Sequence, residues 1–316
     1  VIEERFTLDE IDLKTIEKFK KLAKDRVPDI VNEDNLEDLL RKLNLYDGNY
    51  LKRAAILLFG KNPQQYYIQS HSKIGRFLSE TDIQSSDIVE GNLINQVDMI
   101  LDILRLKYLK AYISYEGAHR REKLEYPYEA LREAIINALI HRDYTNTSNL
   151  QIRVYDDKLV LYNGATLNPE VPIEKFDKPH QSKPFNPTMA SVFYKCGFIE
   201  NWGKGTINII NECLEYGLPK PTFEYEWEAL RTTFYKRVEN EIIDVGVNVG
   251  VNVGVNVGVN KIYEYIKQNQ PIRAKAISNH FPKITQRTIE RYIKQLKDEN
   301  KIEFRGIPKT GGYYAK

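Results

Sequence analysis

The sequence predicts an α+β protein in several parts. Three features carry that reading: a long helical stretch followed by alternating strands, a perfect four-residue repeat, and a basic tail that reads as three helices and a hairpin. At 316 residues the chain exceeds one typical core and suits two or three domains. Its 42% hydrophobic and 28% charged content are ordinary for a globular protein. No apolar run reaches bilayer length and no basic-then-apolar leader opens the chain, so no membrane partner is expected. Cys196 and Cys213 have neither metal nor redox spacing, which points to a reducing cytoplasm. The chain opens on Val1, so a piece of a longer protein is expected.

The stretch from Tyr126 to Tyr144 organises the rest. Glu133, Asn137 and His141 lie four apart, so on a helix they share one slowly drifting face, while Leu131, Ala134, Ile135, Ile136, Ala138, Leu139 and Ile140 fill most of the remainder. A helix buried nearly all round should not carry a carboxylate, an amide and an imidazole, because each costs free energy when unpartnered, roughly 1 to 3 kcal/mol for an amide. A polar cavity follows. The plain alternative is an internal hydrogen-bond network tying this helix to a neighbouring strand.

Upstream, Ile11 to Arg26 and Asn35 to Leu43 read as amphipathic helices, the second with Asn32 or Asn35 as its cap. The run Leu51 to Gly60 is core, but its period does not settle the element. Ser72 to Leu78 reads as a strand and Asn92 to Lys107 as a long helix. His71 and His119 stand isolated and carry no site. Downstream, Gln151 to Tyr155 and Leu159 to Tyr162 alternate around a turn, giving two antiparallel strands that end at Asn163-Gly164, where the backbone can take positive φ. Ala165 to Pro187 is irregular and proline-rich, a lid candidate. A helix from Pro187 to Cys196 follows. Gly203-Lys204-Gly205-Thr206 then opens a helix from Ile207 to Tyr216. Glycines permit close approach, and free N–H groups at a helix start make an anion seat. A tight turn between two helices is the alternative, and Gly205 in place of Ser or Thr after the lysine excludes a Walker A loop.

Residues 245–260 are four copies of VGVN, expected as a flexible spacer, with pairing to a second copy of the chain as the alternative and hence a homodimer. Residues 261–316 hold 13 basic and 5 acidic residues, against 33 and 39 in the rest of the chain, so the tail favours a polyanion. Its three helices and hairpin form a winged helix-turn-helix for double-stranded DNA. Gln286, Arg287, Arg291 and Lys294 face a major groove, and Arg305 and Lys309 on the wing meet phosphate. A protein-contact winged helix is the rival.

The blocks EALREAIINALIHRDY, KLVLYNG and NPTMASVFYKCGFIENWGKGTINIINECLEYGLPKPTF together resemble the RecG-related, GHKL-like ATPase module that often accompanies a Schlafen-type AlbA-like domain, and RAAILLFGKNP is similar to the segment preceding it. The resemblance implies a Bergerat-type α/β sandwich over 111–240, a mixed α/β scaffold over 1–110, a linker over 241–260 and the winged helix over 261–316. It implies ATP and Mg²⁺ as ligands. Glu133 would activate the attacking water and Asn137 would hold Mg²⁺. His141, Asn163 and Gly164 would line the nucleotide site, and Gly203, Lys204, Gly205 and Thr206 would wrap the phosphates. Tyr162-Asn163-Gly164 departs from the family's adenine-recognising aspartate. The implied protein is a DNA-binding transcriptional regulator governed by a degenerate nucleotide module. The rivals are an ATP-hydrolysing enzyme acting on DNA, with no helicase motor motifs in view, and a nucleotide-independent assembly module.

Overall fold

Leu159, Leu161 and Asn163 alternate with Val160 and Tyr162 along one strand, and this two-residue period decides which side of the central sheet is roofed by helices. The computed structural model describes residues 2–3, 5–116, 119–167, 170–179, 181, 183–200, 203–237, 262–281, 286–298, 300–306 and 311–316. These fall into two units, Val1–Arg237 and Val238–Lys316. The VGVN segment expected as a linker lies outside the described residues.

The first unit begins with β1 (Ile2–Glu3), α1 (Leu13–Ala23), α2 (Pro28–Val31), α3 (Leu36–Lys42), β2 (Tyr46–Asp47), β3 (Tyr50–Lys52) and α4 (Arg53–Phe59). Asn35 caps α3, its side-chain oxygen accepting from the Asp38 N–H at 3.1 Å. The unassigned apolar run resolves into β3 followed by α4, where every residue from Ala55 to Phe59 is buried and no period could show. Next come β4 (Ser72–Phe77), β5 (Ile83–Val89), α5 (Leu93–Ile103), a ribbon of β6 (Ala111–Glu116) and β7 (His119–Leu124), and α6 (Tyr128–His141). The unit closes with β8 (Leu150–Val154), β9 (Lys158–Gly164), α7 (Pro187–Lys195), α8 (Gly205–Glu215), β10 (Thr222–Glu226) and β11 (Ala229–Tyr235).

Six strands form a mixed sheet in the order β10-β11-β9-β8-β4-β5, with β4 and β8 parallel and every other pair antiparallel. The fold is thus α+β. The sheet crosses the 110/111 division expected from the sequence, since β4 and β5 precede it and β8 to β11 follow. One face supplies Ile74, Leu150, Ile152, Val154, Leu159, Leu161 and Phe234 to a core shared with α1 and α3 to α8. The opposite face carries a small cluster of Phe77, Tyr155 and Val160, with Tyr162 beside it. Among the described residues no helix is long and apolar enough to cross a membrane.

In the second unit, α9 (262–268), α10 (Ala274–His280) and α11 (Gln286–Asp298) precede a hairpin of β12 (Ile302–Arg305) and β13 (Gly312–Ala315). Ile262, Ile266, Ile277, Ile289, Ile293, Leu296 and Ile302 close its core, with the α11 members at helical spacing.

Candidate functional site

The helix α6 is built from good helix formers after Pro127, and eight of its residues are buried, Ala130 through Ile140. Its polar stripe opens into a cavity of about 580 Å³ inside the first unit. Glu133, Asn137 and His141 line one wall and Gly203, Gly205 and Thr206 another, with Leu161, Asn163, Leu230 and Thr232 of the sheet beneath. Asn137 Nδ2 donates to Glu133 Oε1 at 3.2 Å. Burial raises the pKa of Glu133, and the hydrogen bond from Asn137 opposes that shift.

The turn opening α8 meets this wall at very close quarters. A β-carbon on Gly205 would sit 2.8 Å from Asn137 Nδ2 and still nearer Glu133 Oε1, so the contact requires glycine. Gly203 adopts φ 63°, the left-handed conformation that glycine takes without penalty. The helix starts at Gly205, two residues earlier than its apolar period suggests, which puts Gly205 and Thr206 in the first turn. No side chain caps that end and no acid occupies its first turn. Thr206 Oγ1 is buried without a hydrogen-bond partner. The result is a helix N-terminus without a side-chain cap beside a cavity, which is a favourable place for an anion.

Asn163 marks the sheet side of the cavity. It is 2% exposed, and its Nδ2 donates to the Ala138 carbonyl at 3.0 Å. A carbonyl can only accept, which fixes the amide's orientation and leaves Oδ1 as the free end. That Oδ1 is buried with no partner. An unpaired buried acceptor costs about 1 to 3 kcal/mol, so the position is arranged to receive a donor.

Two of the expected site residues stand apart. Lys204 is exposed and does not line the cavity. Gly164 keeps an ordinary strand conformation rather than positive φ, and its missing β-carbon makes room for Asn146 and the Ser148 hydroxyl outside the cavity. In the second unit, Lys294 is exposed, while Arg305 is exposed but ion-paired with Glu303 and lies 4.8 Å from the Tyr314 ring. The side chains of Gln286, Arg287 and Arg291, and all of Lys309, lie outside the described residues.

Several contributors were not read from the sequence. Asn186, at the end of the 165–187 segment, donates from Nδ2 to the carbonyls of Ile140 at 2.8 Å and Arg142 at 2.7 Å, adding to the Asn163 and Tyr144 bonds that cap the end of α6. At the lid's other root, the Asp143 N–H donates to Gly164 O at 2.9 Å, and Thr166 Oγ1 donates to Asp143 Oδ2 at 3.4 Å. Arg142 is fully buried and donates to the carbonyls of Gln69 and Ser148. Ile140, Arg142 and Asp143 thus tie both ends of the 165–187 segment to the end of the helix bearing Glu133 and Asn137. From the lid itself Val171, Phe176, Lys183 and Phe185 line the cavity.

Residues 147–234 match the family model described as "Putative ATP-dependent DNA helicase recG C-terminal", so an ATPase-like domain related to the RecG C-terminal part is present. The matched span includes Asn163 and the Gly203 turn; α6 lies before it. Residues 1–74 match a domain of unknown function, DUF8451. A solved structure of the DIP2311 protein from Corynebacterium diphtheriae is similar in fold, with a TM-score of 0.60 at 17% identity over the whole chain. The chain spans 63% of that protein's length. No curated protein matches.

Proposed function

We propose that the first unit is a GHKL-type nucleotide module taking ATP with Mg²⁺, and that it governs a winged-helix DNA-binding unit, making the chain a transcriptional regulator. The observation that carries the nucleotide reading is one cavity lined by the Glu133–Asn137 pair, the uncapped start of α8 and Asn163, whose buried Oδ1 has no partner. Each matches one part of the ligand. The adenine amino group is a donor and suits Asn163 Oδ1, in place of the aspartate found in this position in related modules. Phosphate oxygens suit the free N–H groups of Gly205 and Thr206. Asn137 gives Nδ2 to Glu133, so its Oδ1 remains for a cation.

Among the described residues no three acids, histidines or cysteines cluster as a self-sufficient metal site. That suits Mg²⁺, which takes one or two protein ligands and fills its shell with phosphate oxygens and water. When bound, the ion supplies charge neutralisation for the phosphates. Glu133 is positioned to accept a proton from water, and its raised pKa makes it a better base than an exposed carboxylate. The DNA reading rests on the three-helix-and-hairpin unit and its basic composition.

Calorimetry with Mg·ATP on the full chain and on Asn137→Ala tests the module. A titration in the wild type that is weakened at least tenfold in the variant supports it; flat traces from both remove it.

A further inference from the structure

The Arg26 guanidinium, between α1 and α2, makes its hydrogen bonds among the described residues with partners 168 to 174 positions later. Its Nη1 donates to the carbonyls of Tyr194 at 3.1 Å and Ile199 at 3.5 Å, and its Nη2 pairs with Glu200 Oε1 at 2.6 Å. The guanidinium also lies 5.0 Å from the Tyr194 ring. A planar fork that spans two carbonyls, a carboxylate and a ring fixes a backbone bend in a way a lysine cannot. The bend it holds connects α7 to the Gly203 turn, and two of its residues, Ile199 and Glu200, line the cavity.

The charge balance of the cavity makes this grip matter. Its described lining contains two carboxylates, Glu133 and Glu200, and one cationic side chain, Lys183, which is itself paired with Glu170. A polyanion entering such a space would meet an unfavourable field unless Glu200 were neutralised. We propose that Arg26 is a positioning residue for the phosphate end of this cavity: it holds the Tyr194–Glu200 bend in place and cancels the Glu200 charge facing the phosphates. The proposal rests on the nucleotide reading above. It also gives a role to the segment over residues 1–74, which buttresses the nucleotide site from outside the cavity.

The experiment uses the full chain and compares wild type, Arg26→Ala, and Arg26→Ala combined with Glu200→Gln, titrated with Mg·ATP and with AMP. Because the Glu200 side chain is 64% exposed and so partly screened, the effect is modest. Arg26→Ala should weaken ATP about three- to tenfold and AMP less than about twofold, and removing the Glu200 charge should restore most of the ATP affinity. A merely structural role would weaken both ligands alike and would not be rescued by Glu200→Gln; either result overturns the proposal. Amide exchange without nucleotide separates this from failure of the ATP reading. If wild type binds neither ligand, the nucleotide reading fails. Faster exchange over residues 194–206 in Arg26→Ala then upholds the grip, and unchanged exchange overturns that as well.

Discussion

Gly205→Ala separates the site from the stability of the fold. The backbone at 205 is helical, so an alanine there incurs no left-handed strain, and helix propensity alone favours it by about 0.5 to 1 kcal/mol. Its β-carbon, however, would lie 2.8 Å from Asn137 Nδ2 and nearer still to Glu133 Oε1, where ordinary contact begins at 3.4 Å. Both obstructing atoms end flexible side chains, so the cheapest response is for Glu133 and Asn137 to swing aside. That breaks their 3.2 Å hydrogen bond, a loss of about 1 kcal/mol that roughly cancels the propensity gain. Denaturant unfolding should therefore place the variant within about 1 kcal/mol of wild type. Calorimetry with Mg·ATP should show affinity reduced at least about tenfold, or 1.4 kcal/mol, because the amide and carboxylate no longer face the phosphates. Wild-type affinity in a folded Gly205→Ala protein would refute the reasoning.

Other outcomes follow from the same geometry. Burial raises the folded pKa of Glu133 above its ordinary 4.5, so its protonated form favours folding: that contribution is complete below 4.5 and is lost as pH rises through the raised value. Glu133→Gln keeps the neutral shape and should raise the unfolding temperature at neutral pH but not in the acid range; equal shifts at both would contradict the assignment. Asn163→Ala should weaken ATP about tenfold and erase any preference over GTP, whose corresponding ring position is an acceptor, as measured by competition. Asn186→Ala loses two bonds to the end of α6 and should cost about 1 to 3 kcal/mol, with faster amide exchange over the described lid residues. For the second unit, Arg287→Ala and Arg291→Ala should each lower DNA affinity and relax sequence preference, while Lys309→Ala should reduce the salt dependence by about one phosphate contact in mobility-shift titrations.

The polar stripe of α6 was legible because nothing about packing an apolar helix calls for Glu133, Asn137 and His141 at one helical spacing. What faces it was only partly so. The β10–β11 hairpin escaped notice since its two turn residues, Trp227 and Glu228, both sit at φ 56° without the glycine or asparagine that normally signals such a turn. The parallel pairing of β4 with β8 joins segments separated by β5, two helices and a ribbon, and no local pattern encodes such a partner. Asn186 reads as a loop residue in sequence, yet it caps a helix 44 and 46 residues earlier. Gly164 misled for a different reason. Its glycine serves close approach by Ser148, a need that looks the same in sequence as positive φ.

A crystal structure of the full chain soaked with Mg²⁺ and a non-hydrolysable ATP analogue tests the central claim most directly. The adenine amino group should lie within hydrogen-bond distance of Asn163 Oδ1, the phosphates against the N–H groups of Gly205 and Thr206, and the cation on Asn137 Oδ1. An analogue bound outside the α6–α8 cavity, or a cavity left empty at saturating concentration, would contradict it.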